Sequence, residues 1–502
     1  MASPEAQDQK PRTIVFISHG FSGHLNINLA TIQYMLSLSP AESPPLHLHL
    51  LSFDNAERQA AARFASYLGQ QQQQRHTFTF HAIGSFKQII EETLTQNGNR
   101  IDRHAPPSLF TSGGLEPYRF LARIMGWKPD VYIALYERIS EVLRSIGNEG
   151  KVDVAVVDVM MPMGEDACKT AGVRMGIVAP NSGLDLMRHK QPWLRGFWAM
   201  PALFTVTPFP IPLYLIPYNI LLNLAFIYIL ATNPRIRALD AARTAAGIPG
   251  RHFGRPWDSL PFVICASVKE LDFPHVSDRN LTYAGPILFP EPVLSREQYP
   301  ELAAFFARRR TVVVNMGTLF WYGREDVQAF VEAIMRAREA CKGRGEEPFQ
   351  VLWKLKEKKE FEEVVDAMLG DASGDVRVEE WIEPPTLAVL QHPNVVAFVH
   401  HGGANSYNEA CYAGVPQIIL PQWADLYEYA SRVEWLGNGI YANKRAPAKI
   451  DADELTDAFV RVLRDEKEGG ALKRRAVEVR DACHGAGGAQ AVAKVILGAA
   501  SA

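Results

Sequence analysis

With 502 residues the chain is too long for one ordinary core, and its length points to about two or three domains. A 47% hydrophobic and 21% charged composition belongs to a globular protein, while a net charge of −3 leaves no overall field to draw in nucleic acid or an anionic membrane, so an anionic ligand must be held locally. Cys168, Cys265, Cys341, Cys411 and Cys483 are dispersed and form no CxxC pair, which argues against a disulfide framework or a zinc site and fits a reducing, cytoplasmic setting.

The polar start MASPEAQDQKPR has no apolar stretch behind it, so no signal peptide is expected. Residues 13–18 (TIVFIS), 46–53 (LHLHLLSF) and 77–83 read as strands, and apolar residues recur at helical spacing over 28–38. This alternation predicts βα units and a parallel sheet. The glutamine tract 70–74 reads as a solvated loop. A long helical pattern covers 116–145, with an interruption near Lys128-Pro129, where proline removes a donor.

Residues 152–159 (VDVAVVDV) form a clear strand pattern that places Asp158 near the carboxyl end. Ligands gather outside such ends in open α/β sheets, although an Asp there could equally cap the next helix. Another short strand is expected over 174–180. Residues 197–231 are very apolar, and 213–231 approach the length of a membrane span, interrupted by Pro217, Asn219 and Asn223. The preferred reading is a buried or pocket-lining segment, with interfacial membrane contact as the alternative. Phe197, Trp198, Phe204 and Tyr214 within it suggest an apolar acceptor, though such aromatics also build cores.

Strand-like runs at 260–266 and 281–288 close this half, and PILFPEP (286–292) reads as the crossing to a second domain. The expected division is 1–288, 289–480, and a terminal helix within 481–502 that returns to the first domain. The second series runs through a strand at 311–316, a helix at 325–341 and a strand at 349–355. Beyond residue 425 come helices at 426–436, 451–463, 466–482 and 489–497, with one short strand at 439–443.

Residues 381–425 (WIEPPTLAVLQHPNVVAFVHHGGANSYNEACYAGVPQIILPQWAD) carry the most chemistry. An apolar run, 395–399, delivers two histidines and two glycines into a turn that feeds a helix. Unpaired amides and the positive end of the helix dipole suit an anion there, and small residues at Gly402, Gly403 and Ala404 allow close approach. The plain alternative is an ordinary strand-to-helix turn.

This stretch resembles the signature of the UDP-dependent glycosyltransferases, a family with the GT-B fold of two facing Rossmann-like α/β domains and an interdomain cleft. The SGHLNINLA, VVDV and LTYAGPIL segments are similar to their counterparts as well, so the resemblance spans most of the chain; it is weakest over 185–255. It implies that Trp381 stacks on uracil and that the backbone at Ile382 reads the base edge. It implies further that His401, Gly403, Asn405 and Ser406 hold the diphosphate, joined by Gly317 and Thr318 from the first strand of that domain. Glu409 would bind the ribose and Asp425 the sugar hydroxyls. His24, in a Gly-His turn, would take the acceptor's proton with Asp158 as its acidic partner, and His19 is the competing base.

The resemblance therefore implies an inverting transferase moving a hexose, glucose first, from a UDP-sugar co-substrate to a lipophilic hydroxyl compound such as a phenolic, polyketide or terpenoid. No cofactor is expected, and no metal, because no tight carboxylate cluster is visible to hold Mg²⁺. Two departures matter. Leu426 stands where the family often has Gln or Asn, which opens the donor sugar, and Pro384 stands where plant members have Gln. The rivals are a membrane-surface sterol or lipid transferase and a nucleotide-sugar-binding protein without catalysis. A dehydrogenase is disfavoured because Gly20-Phe21-Ser22-Gly23-His24 is not a G-x-G-x-x-G fingerprint.

Overall fold

The computed structural model describes residues 10–68, 75–96, 99–100, 103–251, 257–467 and 470–502. The glutamine tract lies outside the described residues. The strands are β1 (Arg12–Ile17), β2 (Leu46–Ser52), β3 (Thr77–Ala82), β4 (Thr95–Gln96), β5 (Asn99–Arg100), β6 (Val154–Asp158), β7 (Met175–Ala179), β8 (Val263–Cys265), β9 (Leu281–Tyr283), β10 (Thr311–Asn315), β11 (Gln350–Lys354), β12 (Val376–Glu379), β13 (Val395–His400), β14 (Gln417–Ile419) and β15 (Gly439–Tyr441). Two parallel sheets result, of seven strands in the order β3-β2-β1-β6-β7-β8-β9 and six in the order β12-β11-β10-β13-β14-β15. The expected α/β class with two Rossmann-like halves is present.

The central strands are apolar through their middles because helices cover both faces. Val15, Ile17, Ala155 and Val157 face one layer, while Ile14, Phe16, Val154 and Val156 face the other. In the second sheet Val312 and Val314 point one way and Val313, Leu352 and Phe398 the opposite way. The chain reverses direction across each sheet between β1 and β6, and again between β10 and β13. Both reversals open a crevice at the carboxyl ends of the strands.

Several element boundaries differ from expectation. The first helix is Ser22–Leu36 and not 28–38, because its opening turn carries Gly23, His24 and Asn26 and shows no apolar stripe to read. The pattern over 116–145 is two helices, Glu116–Met125 and Pro129–Glu149, divided where proline predicts. The helices expected at 451–463 and 466–482 are Ala452–Lys467 and Ala471–Ala486; Gly470 just ahead of the second marks the stop that periodicity passed over. The terminal helix Ala489–Ser501 buries Val492, Ala493, Ile496 and Ala500 against Ile14, Phe16, Leu29 and Ile32 of the first domain.

The expectation that 213–231 is a buried segment is corrected. Leu213–Thr232 is helical and lies largely exposed, with 11% of its apolar window buried. Only Asn219 and Leu222 of its main helix, Ile216–Thr232, are buried. The all-round apolar character that suggests a core helix belongs here to a surface.

A buried ionic cluster joins the two halves. Arg432, on the helix Leu426–Leu436, donates to Ser182 Oγ at 2.7 Å and Asp185 Oδ1 at 3.1 Å, with Asp272 Oδ1 at 3.8 Å. Arg188 pairs with Glu428 of the same helix. Such a cluster fixes orientation more than it adds stability, since the attraction is largely offset by desolvation.

Candidate active site

His24 sits in the first turn of Ser22–Leu36, directly after β1, and Asp158 ends β6 beside it. The fully buried Asp158 carboxylate receives His24 Nδ1 at 2.9 and 3.0 Å on its two oxygens. It also accepts the Met160 amide at 2.7 Å, which fixes its plane. An acidic acceptor at Nδ1 places the imidazole proton there and leaves the Nε2 lone pair available as a base.

His19 is built differently. It is buried, its Nδ1 accepts the Phe21 amide at 3.1 Å, and its ring stacks on Phe21 at 4.4 Å. Burial, with His24 nearby, holds its pKa at about 3. His19 is a neutral element of the turn, with its Nδ1 lone pair already committed.

The second crevice holds the turn after β10, at Gly317, and the turn after β13, at His401 to Ser406. Asn315 Oδ1 accepts the Gly317 amide at 3.0 Å and shapes the turn after β10. A side chain at Gly317 (φ +84°) would meet His401 Cε1 at 2.5 Å, and one at Gly403 would meet His401 Nε2 at 2.5 Å. The His401 ring thus lies between two glycines, which is why both positions lack a Cβ. Its Nδ1 is buried without a partner, and burial followed by the Lys354 charge lowers its pKa to about 4. An unsatisfied ring nitrogen at the amino end of Ala404–Ala413, a helix with no side-chain cap, is suited to an anionic oxygen. The neighbouring His400 has a structural role, bonded to Gln417 Oε1 at 2.9 Å and to the Gly402 amide at 3.0 Å.

Around this turn Ser406 is buried, Asn405 is half-buried and Thr318 is exposed, its carbonyl accepting Lys356 Nζ at 2.9 Å. Trp381 is 56% exposed and Ile382 packs against the Leu294 and Phe306 layer. Glu409 is pushed up to about 8 by burial and by Glu291, and Asp425 to about 6 by burial and by Asp185. Asp425 opens Leu426–Leu436 after Ala424, which has φ +52°. Leu426 is buried, and a Cβ at Gly402 (φ +93°) would lie 3.0 Å from the Leu426 carbonyl and 2.9 Å from Ile419.

Two observations were not anticipated from the sequence. Lys354, at the end of β11 and buried, holds Nζ 3.6 Å above the Trp381 ring. Burial, with Lys356 adding repulsion, lowers its pKa to about 8. The available signal was a lysine closing a strand, QVLWK, after the apolar run Val351 to Trp353, whose neighbour β10 leads into the Gly317 turn. The second is the meeting of the two crevices: Asn405 Nδ2 donates to the Ser22 carbonyl at 3.3 Å, so the His24 turn and the His401 turn face each other. Of the aromatics in the apolar segment, Phe204 is buried, Phe197 is half-buried, and Trp198 and Tyr214 are 38% and 79% exposed.

Residues 360–497 match the family described as "Erythromycin biosynthesis protein CIII-like, C-terminal domain". The chain is 29% identical over 524 aligned residues to the glycosyltransferase sdnJ of Sordaria araneosa, covering 98% of each chain. A UDP-glucosyltransferase from Polygonum tinctorium capable of glucosylating indoxyl superposes with a TM-score of 0.63 at 15% identity, over 99% of this chain and 100% of that one. The chain is similar in sequence to glycosyltransferases and has the GT-B fold of the UDP-glycosyltransferase structures. A shorter segment of the chain, 121 residues or 24% of its length, is 38% identical to erythritol-mannosyl-transferase 1 of Mycosarcoma maydis, of which it spans 19%. All five cysteines of the chain are buried and free. Among the described residues no group of three or more His, Cys, Asp or Glu side chains could hold a metal ion.

Proposed function

We propose that this enzyme moves a hexose, glucose being the first candidate, from its UDP conjugate to a hydroxyl of a lipophilic small molecule with inversion and without a metal. The observation that carries the reading is the contact between Asn405 and Ser22, which sets the His24–Asp158 pair against the turn suited to a diphosphate. His24 Nε2 takes the hydroxyl proton as the acceptor oxygen forms its bond to the anomeric carbon. The bond from that carbon to the diphosphate oxygen breaks on the opposite face, and one displacement inverts the centre. Asp158 stabilises the imidazolium that results.

The departing diphosphate meets the amides at the start of Ala404–Ala413 and a neutral His401 ring as hydrogen-bond donors, and the Lys354 ammonium as a positive charge, all from the chain itself. Trp381, with an open face, stacks on uracil, Ile382 reads the base edge through its backbone, Glu409 holds the ribose and Asp425 the hexose. The sugar stays the most open part. Leu426 is turned into the core, so the polar contacts a Gln would add are missing, and the relatives include a protein named for mannosyl transfer.

The test is a mass-spectrometric screen of several UDP-hexoses against pooled hydrophobic hydroxyl compounds, run in excess chelator, with the product's anomeric configuration read by NMR. A hexosyl adduct of inverted configuration is expected. Absence of any product across the panel, or a product of retained configuration, would overturn the reading.

A related expectation concerns Lys354. Replacing it with methionine should weaken UDP binding by about tenfold, the scale of one charge-assisted contact. The wild-type affinity should also fall as pH rises through about 8, because the ammonium is the form that pairs with phosphate, and this slope should vanish in the variant. Calorimetric titration at pH 7 and pH 9 reads both, and equal pH slopes for the two proteins would remove Lys354 from the site.

A further inference from the structure

We infer that this enzyme docks on an anionic lipid surface through the apolar helix Ile216–Thr232 and the turn before it. This goes beyond the transfer reaction and does not depend on it. The helix exposes Leu224 at 51% and Tyr228 at 69%, the preceding turn exposes Leu213 at 84%, and the adjacent segment exposes Trp193 at 89% and Leu194 at 75%. Phe110, 82% exposed, stacks on Tyr218 at 5.6 Å and extends the patch. Large apolar side chains gathered from three separate segments are not the scattered exposure of an ordinary surface.

Geometry separates lying on a membrane from crossing one. Leu213–Thr232, at 20 residues, is long enough to span. Yet Asn219 Nδ2 donates to the Phe197 and Met200 carbonyls, its Oδ1 accepts the Ala202 amide at 2.7 Å, and Asn223 Nδ2 reaches Phe197 as well. These bonds, with Leu222 fully buried, hold one face of the helix on the protein. The opposite face can enter only the outer few ångströms of a bilayer, with Trp193 and Tyr228 as the amphipathic aromatics that suit that depth.

Charge selects the partner. From residue 186 to residue 237 the sequence contains Arg188, Lys190, Arg195, Arg235 and Arg237 and no Asp or Glu, in a chain whose overall charge is −3. Arg188 and Lys190 are paired with acids elsewhere, to Glu428, Asp258 and Asp278. Arg195 is exposed next to Trp193 and Leu194, and Arg237 is exposed and reaches the Ala231 carbonyl at the other end of the helix at 3.2 Å. An apolar face bordered by cations at both ends is complementary to a leaflet carrying anionic lipid. A second copy of the chain would bring the same cations together.

Co-sedimentation of the full chain with vesicles tests this, using phosphatidylcholine alone or mixed with phosphatidylserine at about one part in four. The protein should bind the anionic vesicles at least about tenfold better than the neutral ones, and added salt should reduce the difference. Binding should be lost in Trp193→Ser/Leu224→Asp/Tyr228→Asp and weakened in Arg195→Glu/Arg237→Glu. UDP binding measured on the same samples shows that each variant is folded. Equal sedimentation of the variants and the wild type would overturn the proposal. So would no binding to either vesicle by a wild type that dimerises and an apolar-face variant that is monomeric, which would make the face a contact between copies.

Discussion

His24→Ala should lower turnover by about a thousandfold while leaving UDP affinity within about twofold, because a positioned general base contributes on that scale and touches only the acceptor half of the reaction. The substitution is structurally mild. His24 lies in the first helical turn with 16% of its side chain exposed, and the bonds its main chain makes, its amide to Phe21 and its carbonyl to Asn28, stay in place. Alanine is also a favourable residue in a helix. Single-turnover transfer together with calorimetry on UDP distinguishes lost catalysis from lost binding. The competing assignment makes the opposite prediction: His19→Ala would remove transfer while His24→Ala kept it. The commitment of His19 Nδ1 to the Phe21 amide, and its burial, stand against that outcome.

Asp158→Asn should cost about two to four orders of magnitude in turnover, with little change in KM for either substrate. The reason is the tautomer. In the wild type a carboxylate accepts from His24 Nδ1, so Nε2 carries the lone pair. An amide in the same place keeps one oxygen to accept the Met160 amide, now 2.7 Å from Oδ1, and turns its NH₂ toward His24. The ring must then accept at Nδ1 and carry its proton at Nε2, where no base remains. Asp158→Ala, which releases the ring without imposing the wrong tautomer, should be no worse than Asp158→Asn. Near wild-type rates in the Asn variant would mean that the carboxylate only caps the turn.

The sequence made the architecture readable because each central strand is covered on both faces. Residues such as Val154 to Val157 have no polar alternative there, and a run of them marks a strand without ambiguity. Where a segment serves chemistry, the same signal fails. The first helix begins six residues ahead of the expected start because Ser22, Gly23 and His24 bring no apolar side chain to its opening, although Leu25 and Ile27 are already buried in the core. The donor turn was readable for the opposite reason. Its histidines and glycines are unusual next to a buried strand, and the structure accounts for the spacing by slotting His401 between Gly317 and Gly403.

Long-range partnerships were not readable. Lys354 becomes meaningful only when β11 is placed beside β10 and Trp381 folds over its ammonium. The Arg432 cluster draws on residues near 182, 272 and 432, and no local pattern links them. The helix Ile216–Thr232 shows a limit of another kind. Hydrophobicity on every side predicts burial in a core, yet composition does not say whether the covering material belongs to this chain.

The close seating of Gly402 against the Leu426 carbonyl and Ile419 has a consequence for redesign. In the proposed function the two sides of that contact serve different parts of the nucleotide sugar, the turn after β13 the diphosphate and the segment at 425–426 the hexose. With no spare room between them, a substitution that reshapes one side moves the other. Attempts to retune which hexose is accepted by polar replacement at Leu426 will therefore also alter the grip on the pyrophosphate. Variants sorted by sugar preference should show correlated changes in their affinity for UDP alone.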